Sequence, residues 1–248
     1  MVEHPATLFQ LALICSLLTA CKPSSTATSG LASNTITTNI TANSTNLLDP
    51  ELEIDIDKSS EHLAQGNIFL AEGKLSEAVE QFQLAVRFNP EDEDLYYNLG
   101  IAQARAGNSE AAKKSYRKSL EIYPDYIEVH NNLGNILVAE GEFDEAIEHF
   151  QLALKNDDKN ASTHNNLGTA YARQNKIAHS LAHFETALQL RPNYPDAQFN
   201  LGNAYLLIGR IDDAINQYTQ LLRRHPQFQP ARAQLQKAQA MKARAASR

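Results

Sequence analysis

From residue 59 onward, small, apolar and polar positions recur with a period of 34 residues. Gly66, Gly100, Gly134, Gly168 and Gly202 form one series, with Leu99, Leu133, Leu167 and Leu201 directly before the last four. A second series holds Gly73, Gly107, Gly141 and Gly209, with Asn175 in the fourth place. Small residues recur at Ala78, Ala112, Ala146, Ser180 and Ala214. Four residues after each comes an aromatic: Phe82, Tyr116, Phe150, Phe184 and Tyr218. Pro90, Pro124, Pro192 and Pro226 punctuate the unit ends, with Asp158 in the third place. Between these marks the pattern predicts helix, tight turn, helix and breaker in every unit.

The two glycine series have different physical reasons. Gly and Asn both tolerate positive φ, so the second series predicts a left-handed turn residue. The first lies inside helical sequence, where Gly costs about 1 kcal/mol against Ala. A recurring cost of that size predicts close helix–helix contact at each site.

These columns resemble the tetratricopeptide repeat (TPR), a 34-residue helix-turn-helix family with the same small and aromatic positions. Five units fit without insertion: 59–92, 93–126, 127–160, 161–194 and 195–228. Residues 229–248 resemble a sixth first helix with Gln236 at the glycine position, polar and Ala-rich as a capping element should be. The resemblance implies an all-α TPR solenoid whose first helices line a concave face. The family's bulky fourth position holds His62, Tyr96, His130, His164 and Gln198, which makes that packing more polar than usual.

Asparagine supplies the candidate binding residues. Asn98, Asn132, Asn166 and Asn200 recur at the sixth position, and Asn67, Asn135 and Asn203 three residues further on. Asn131 and Asn165 precede two of the first set. The family resemblance implies that these face the groove, like the asparagine ladder in the TPR region of O-linked N-acetylglucosamine transferases. A carboxamide both donates and accepts, so such a row can satisfy the main chain of an extended peptide. The second positions, Ser60, Asp94, Glu128, Ser162 and Asp196, lack the cations of the carboxylate-clamp grooves that grip acidic C-termini.

Composition excludes several other classes. The 248 residues carry 22 Lys+Arg and 29 Asp+Glu, a formal charge of −7, which disfavours non-specific nucleic-acid binding. The charge is uneven: no acid follows Asp213, residues 215–248 carry +7, and the first 214 carry −14. Two cysteines, Cys15 and Cys21, exclude a disulfide scaffold or a Cys-based zinc site. No phosphate-binding glycine loop, Gly-x-Ser-x-Gly elbow or His-Glu-x-x-His motif occurs, so neither catalysis nor a cofactor is expected. His179 and His183 stand four apart on a predicted helix, with His149 at the same repeat position as His183, and could bind a metal on one face, but spacing fixes no third ligand, and a solvated surface is the simpler reading.

The N-terminus predicts an address. Leu8–Ala20 is an apolar stretch too short to span a bilayer, with the length of a secretory h-region. It runs into Leu18-Thr19-Ala20-Cys21, which resembles the lipobox of bacterial lipoproteins; Glu3 and the lack of Lys or Arg in residues 1–7 depart from that pattern. The resemblance implies a signal peptide over 1–20, acylation of Cys21, and, with Lys22 next, an outer-membrane anchor facing the periplasm. Residues 23–48 hold 16 Ser, Thr or Asn in 26 and no charge, too polar to bury a core. Residues 21–58 therefore form a tether with a reach on the order of 30–35 Å.

The expected protein is thus a lipid-anchored scaffold of the bacterial cell envelope. Its partners would be other envelope proteins or their peptide segments, without nucleic acid or a small-molecule substrate. Families of similar construction assist type IV pilus assembly, outer-membrane protein insertion or control of peptidoglycan hydrolases. A metal-binding or enzyme-accessory module and a cytoplasmic TPR co-chaperone are the alternatives.

Overall fold

A computed structural model describes residues 54–247. The leader, Cys21 and most of the tether lie outside the described residues. Helices alternate along the chain as α1 (Ile56–Glu72), α2 (Leu75–Phe88), α3 (Glu93–Arg105), α4 (Ser109–Ile122), α5 (Ile127–Glu140) and α6 (Phe143–Asn156). They continue as α7 (Ala161–Arg173), α8 (Ile177–Leu190), α9 (Pro195–Leu207), α10 (Ile211–Arg224) and α11 (Gln229–Ala246). Odd-numbered helices from α1 to α9 are the first helices of the five units, and α11 is the cap.

Local chemistry sets the helix ends. Asp55 accepts from the Lys58 backbone N–H at 3.0 Å and caps α1, so helix begins inside the stretch that composition assigns to the tether. Asp92, Asn108 and Asn160 cap α3, α4 and α7 in the same way. Asn175, at φ +60, makes the same left-handed turn as Gly141, at φ +89.

Within each unit the aromatic of the second helix lies against the glycine of the first. A Cβ built on Gly134 would stand 2.6 Å from the Phe150 ring. All five aromatics of this column are at most 2% exposed. The recurring helical glycine is therefore explained by ring-to-backbone contact, as the spacing predicts.

Between units the third position of each first helix seals the junction: Leu95, Val129, Thr163, Ala197 and Ala231 are at most 1% exposed. Ala197, for example, packs with Ala187 of α8. In α1 the same position is Glu61, which faces solvent. At the other end α11 buries Ala231 and Ala238 and leaves Gln236 exposed. First helices also touch one another, α5 with α7, α7 with α9 and α9 with α11, so they line the inner side of the stack.

Candidate partner-binding surface

The inner helices carry the asparagines, but in different states. Asn200 Nδ2 on α9 donates to Asn165 Oδ1 on α7 at 3.0 Å, and Asn165 is only 6% exposed. Asn165 Nδ2 in turn lies 3.5 Å from Asn166 Oδ1, a weak contact. Asn203 Oδ1 accepts from the Tyr218 hydroxyl at 2.7 Å, and burial pushes that phenol's pKa well above its usual range. These amides hold helices together. Asn98 Nδ2 donates back to the Asp94 carbonyl of its own helix at 2.7 Å.

The third unit differs. Asn131 Nδ2 donates to the Ile127 carbonyl at 3.1 Å, while its Oδ1 is buried without a hydrogen-bond partner. Asn132 and Asn135 are half-buried and have no side-chain hydrogen bond among the described residues. Asn67, on α1, is exposed. A buried carboxamide oxygen without a partner costs roughly 1–3 kcal/mol, and the Asn131 oxygen is enclosed, so the reachable hydrogen-bonding capacity of α5 lies with Asn132 and Asn135.

Spacing did not single out the tyrosines beside this face. Tyr97 of α3 lies 5.1 Å, centroid to centroid, from Tyr126, and Tyr123 lies 5.8 Å from Tyr126. The Tyr126 hydroxyl donates to the Asp94 carboxylate. Burial first, then that carboxylate, raises the Tyr126 pKa strongly. The available signal was the tyrosine closing two units, at Tyr126 and Tyr194.

The histidines pair across helices instead of converging. His130 Nδ1 and His149 Nδ1 stand 2.9 Å apart between α5 and α6, and His164 and His183 repeat the contact at 3.0 Å between α7 and α8. His179 lies tilted against Tyr171, 5.1 Å between centroids, and the Tyr171 ring is stacked with His183 at 5.6 Å. Among the described residues no group of three or more His, Cys, Asp or Glu side chains could hold a metal ion. The simpler reading of these residues is itself corrected: His149 and His183 are committed inter-helix partners, not solvated surface. Nor is any helix among the described residues long and apolar enough to cross a membrane.

Family models for the TPR repeat match residues 66–107 and 134–175, and tetratricopeptide repeat models match 93–126, 115–148 and 165–227. Together they run unbroken from 66 to 227. The chain belongs to the tetratricopeptide repeat family. Its described part is accordingly a solenoid of paired helices. Among curated proteins, none matches it.

Solved structures share the fold at low identity. MamA from Desulfovibrio magneticus RS-1 is 20% identical with a TM-score of 0.65, over 69% of this chain and 98% of that one. PilF of Pseudomonas aeruginosa is 18% identical with a TM-score of 0.61, over 76% and 98%. YrrB, described as a TPR protein with an unusual peptide-binding site, is 18% identical with a TM-score of 0.58, over 68% and 88%.

Proposed function

We propose that this TPR protein is a lipid-anchored adaptor of the bacterial cell envelope that holds an extended segment of a partner protein along its inner helices. The observation that carries this reading is that Asn132 and Asn135 on α5 are half-buried and have no side-chain hydrogen bond among the described residues. Amides at successive turns of one helix can pair with successive main-chain groups of an extended chain, largely independent of its side chains. Asn67, Asn98 and Asn166 extend the row; Asn165, Asn200 and Asn203 support it from within. The peptide-binding site ascribed to YrrB is consistent with such a use of the fold.

The anchor rests on the Leu18–Cys21 lipobox, and Lys22 favours the periplasmic side of the outer membrane. Acylation by several chains would give durable attachment, because one chain alone binds only marginally. The tether would let the solenoid sweep on the order of 30 Å from the bilayer surface.

A photo-crosslinking residue placed at Asn132 tests this directly. In cells it should trap one partner reproducibly, whereas the same residue at exposed Glu148, on α6, should not. Equal trapping from both positions would contradict the groove reading.

A further inference from the structure

Two units of this solenoid build the same rung from different residues. In the fourth unit, Tyr194 closes the unit; burial raises its pKa, and Ser162 and Asn165 act on the phenol in the opposite sense. The Arg191 guanidinium lies over the Tyr194 ring, 4.6 Å from its centroid. In the second unit the residues at the same four positions are Tyr126, Asp94, Tyr97 and Tyr123. The ring is kept. Neutral Ser162 is replaced by a carboxylate, Asn165 by an aromatic, and the covering cation Arg191 by an aromatic.

Each replacement favours a positive charge supplied from outside. Tyr97 and Tyr123 each contact the Tyr126 ring, at 5.1 and 5.8 Å, and the Tyr126 hydroxyl donates to Asp94. Tyr123 is 48% exposed, and Asp94 is exposed with no ion-pair partner among the described residues. Glu128 lies near enough to act on the Tyr126 phenol, which adds to the negative potential. Arg191 shows what this rung accepts when the chain provides it: a cation over the closing tyrosine.

We propose that Asp94, Tyr97, Tyr123 and Tyr126 form a cradle for an arginine or lysine side chain of the partner segment. This rests on the reading that the segment lies along the inner helices, where Asn98 and Asn131 are close in sequence to the cradle residues. Aromatic faces attract the cation, and the carboxylate fixes its position. Arginine fits better, since a planar guanidinium can stack on a ring and still fork onto a carboxylate. The main chain would be held without regard to sequence, and this one rung would supply the selectivity.

The test uses single-residue probes on the full chain without its leader, with tyrosine ring signals followed by NMR. N-acetyl-arginine amide should shift the Tyr123 and Tyr126 resonances saturably, and its neutral isostere N-acetyl-citrulline amide should not. Asp94→Asn and Tyr123→Ala should each weaken the response by about two- to fivefold, the size of one exposed cation–π or ionic contact. Tyr123→Arg with Asp94→Ser installs two of the three fourth-unit residues; it should melt as wild type does and lose the response. Equal shifts from both probes, no shift from the arginine probe, or a full response in the folded double variant would each overturn the cradle. Because the probe has no extended main chain, these outcomes are independent of whether α5 grips a peptide.

Discussion

His130 Nε2 lies 2.8 Å from the Pro124 carbonyl, and His130 Nδ1 lies 2.9 Å from His149 Nδ1. A carbonyl only accepts, so His130 donates through Nε2, and in the neutral pair its Nδ1 takes the proton offered by His149. His164 and His183 repeat this chain against the Asp158 carbonyl, at 3.1 and 3.0 Å. Each contact therefore needs at least one neutral ring, and protonating both rings of a pair would set two N–H groups against each other.

Acid should therefore loosen the third and fourth units. Burial, and then His130, lowers the His149 pKa; Glu145, 3.8 Å away, partly opposes this, and Arg117 reinforces it. Burial, followed by His164 and His179, lowers the His183 pKa to about 4. With folded values below the unfolded value near 6.5, the unfolded chain binds more protons over this range. Stability should be full above pH 6.5 and fall as pH drops toward 4. Thermal unfolding across that range should show a shallower acid decline in His183→Gln than in wild type. An unchanged slope would mean that the pair does not titrate with folding.

Backbone contact, not turn flexibility, should dominate the helical glycines. Gly134→Ala puts a methyl 2.6 Å from a fully buried ring, and overpacking of this kind costs about 1–3 kcal/mol, set against a helix-propensity gain of up to about 1 kcal/mol. Gly141→Ala meets open space but forces alanine to φ +89, for a loss of about 1 kcal/mol. Asn175→Gly should be neutral or slightly stabilising, because the backbone there is already at φ +60. Urea midpoints of the three variants would give this order; a stabilised Gly134→Ala would refute the ring contact.

The repeat architecture was legible because its columns are geometric necessities: a ring over a glycine, a small residue beside it, a left-handed residue at the turn. The states of the asparagines were not. Asn132, Asn166 and Asn200 share one repeat position, yet Asn200 bonds to Asn165 and Asn132 bonds to nothing described. That difference comes from the neighbouring unit, with which a periodic pattern cannot distinguish one asparagine from the next. The histidine pairs were hidden for a related reason. Residues 19 apart meet only once the two helices of a unit fold back on each other.

Cys21→Ser should move the protein from membrane to soluble fractions, and mass spectrometry of the native protein should find a lipid on Cys21. A mutant that fractionates as wild type does would remove the anchor from the account.

The basic end of α11 should matter little for folding. Residues 241–247 are exposed, and the Lys242–Asp212 pair lies between two exposed side chains, a class worth about 0–1 kcal/mol. Deleting residues 241–248 should therefore leave the melting temperature nearly unchanged. A large drop would show that these residues carry part of the cap.

The central claim is that unpartnered amides on α5 hold a partner's main chain. Once the segment trapped at Asn132 is sequenced, a synthetic copy can be titrated against wild type and against Asn132→Ala with Asn135→Ala. Each lost neutral hydrogen bond is worth about 0.5–1.5 kcal/mol, so the pair should cost roughly five- to 150-fold in affinity while helicity and melting temperature hold. Alanine replacements within the peptide, away from its basic residue, should cost much less. A folded double variant that binds the peptide as tightly as wild type does would contradict the claim and move the partner site off the inner face.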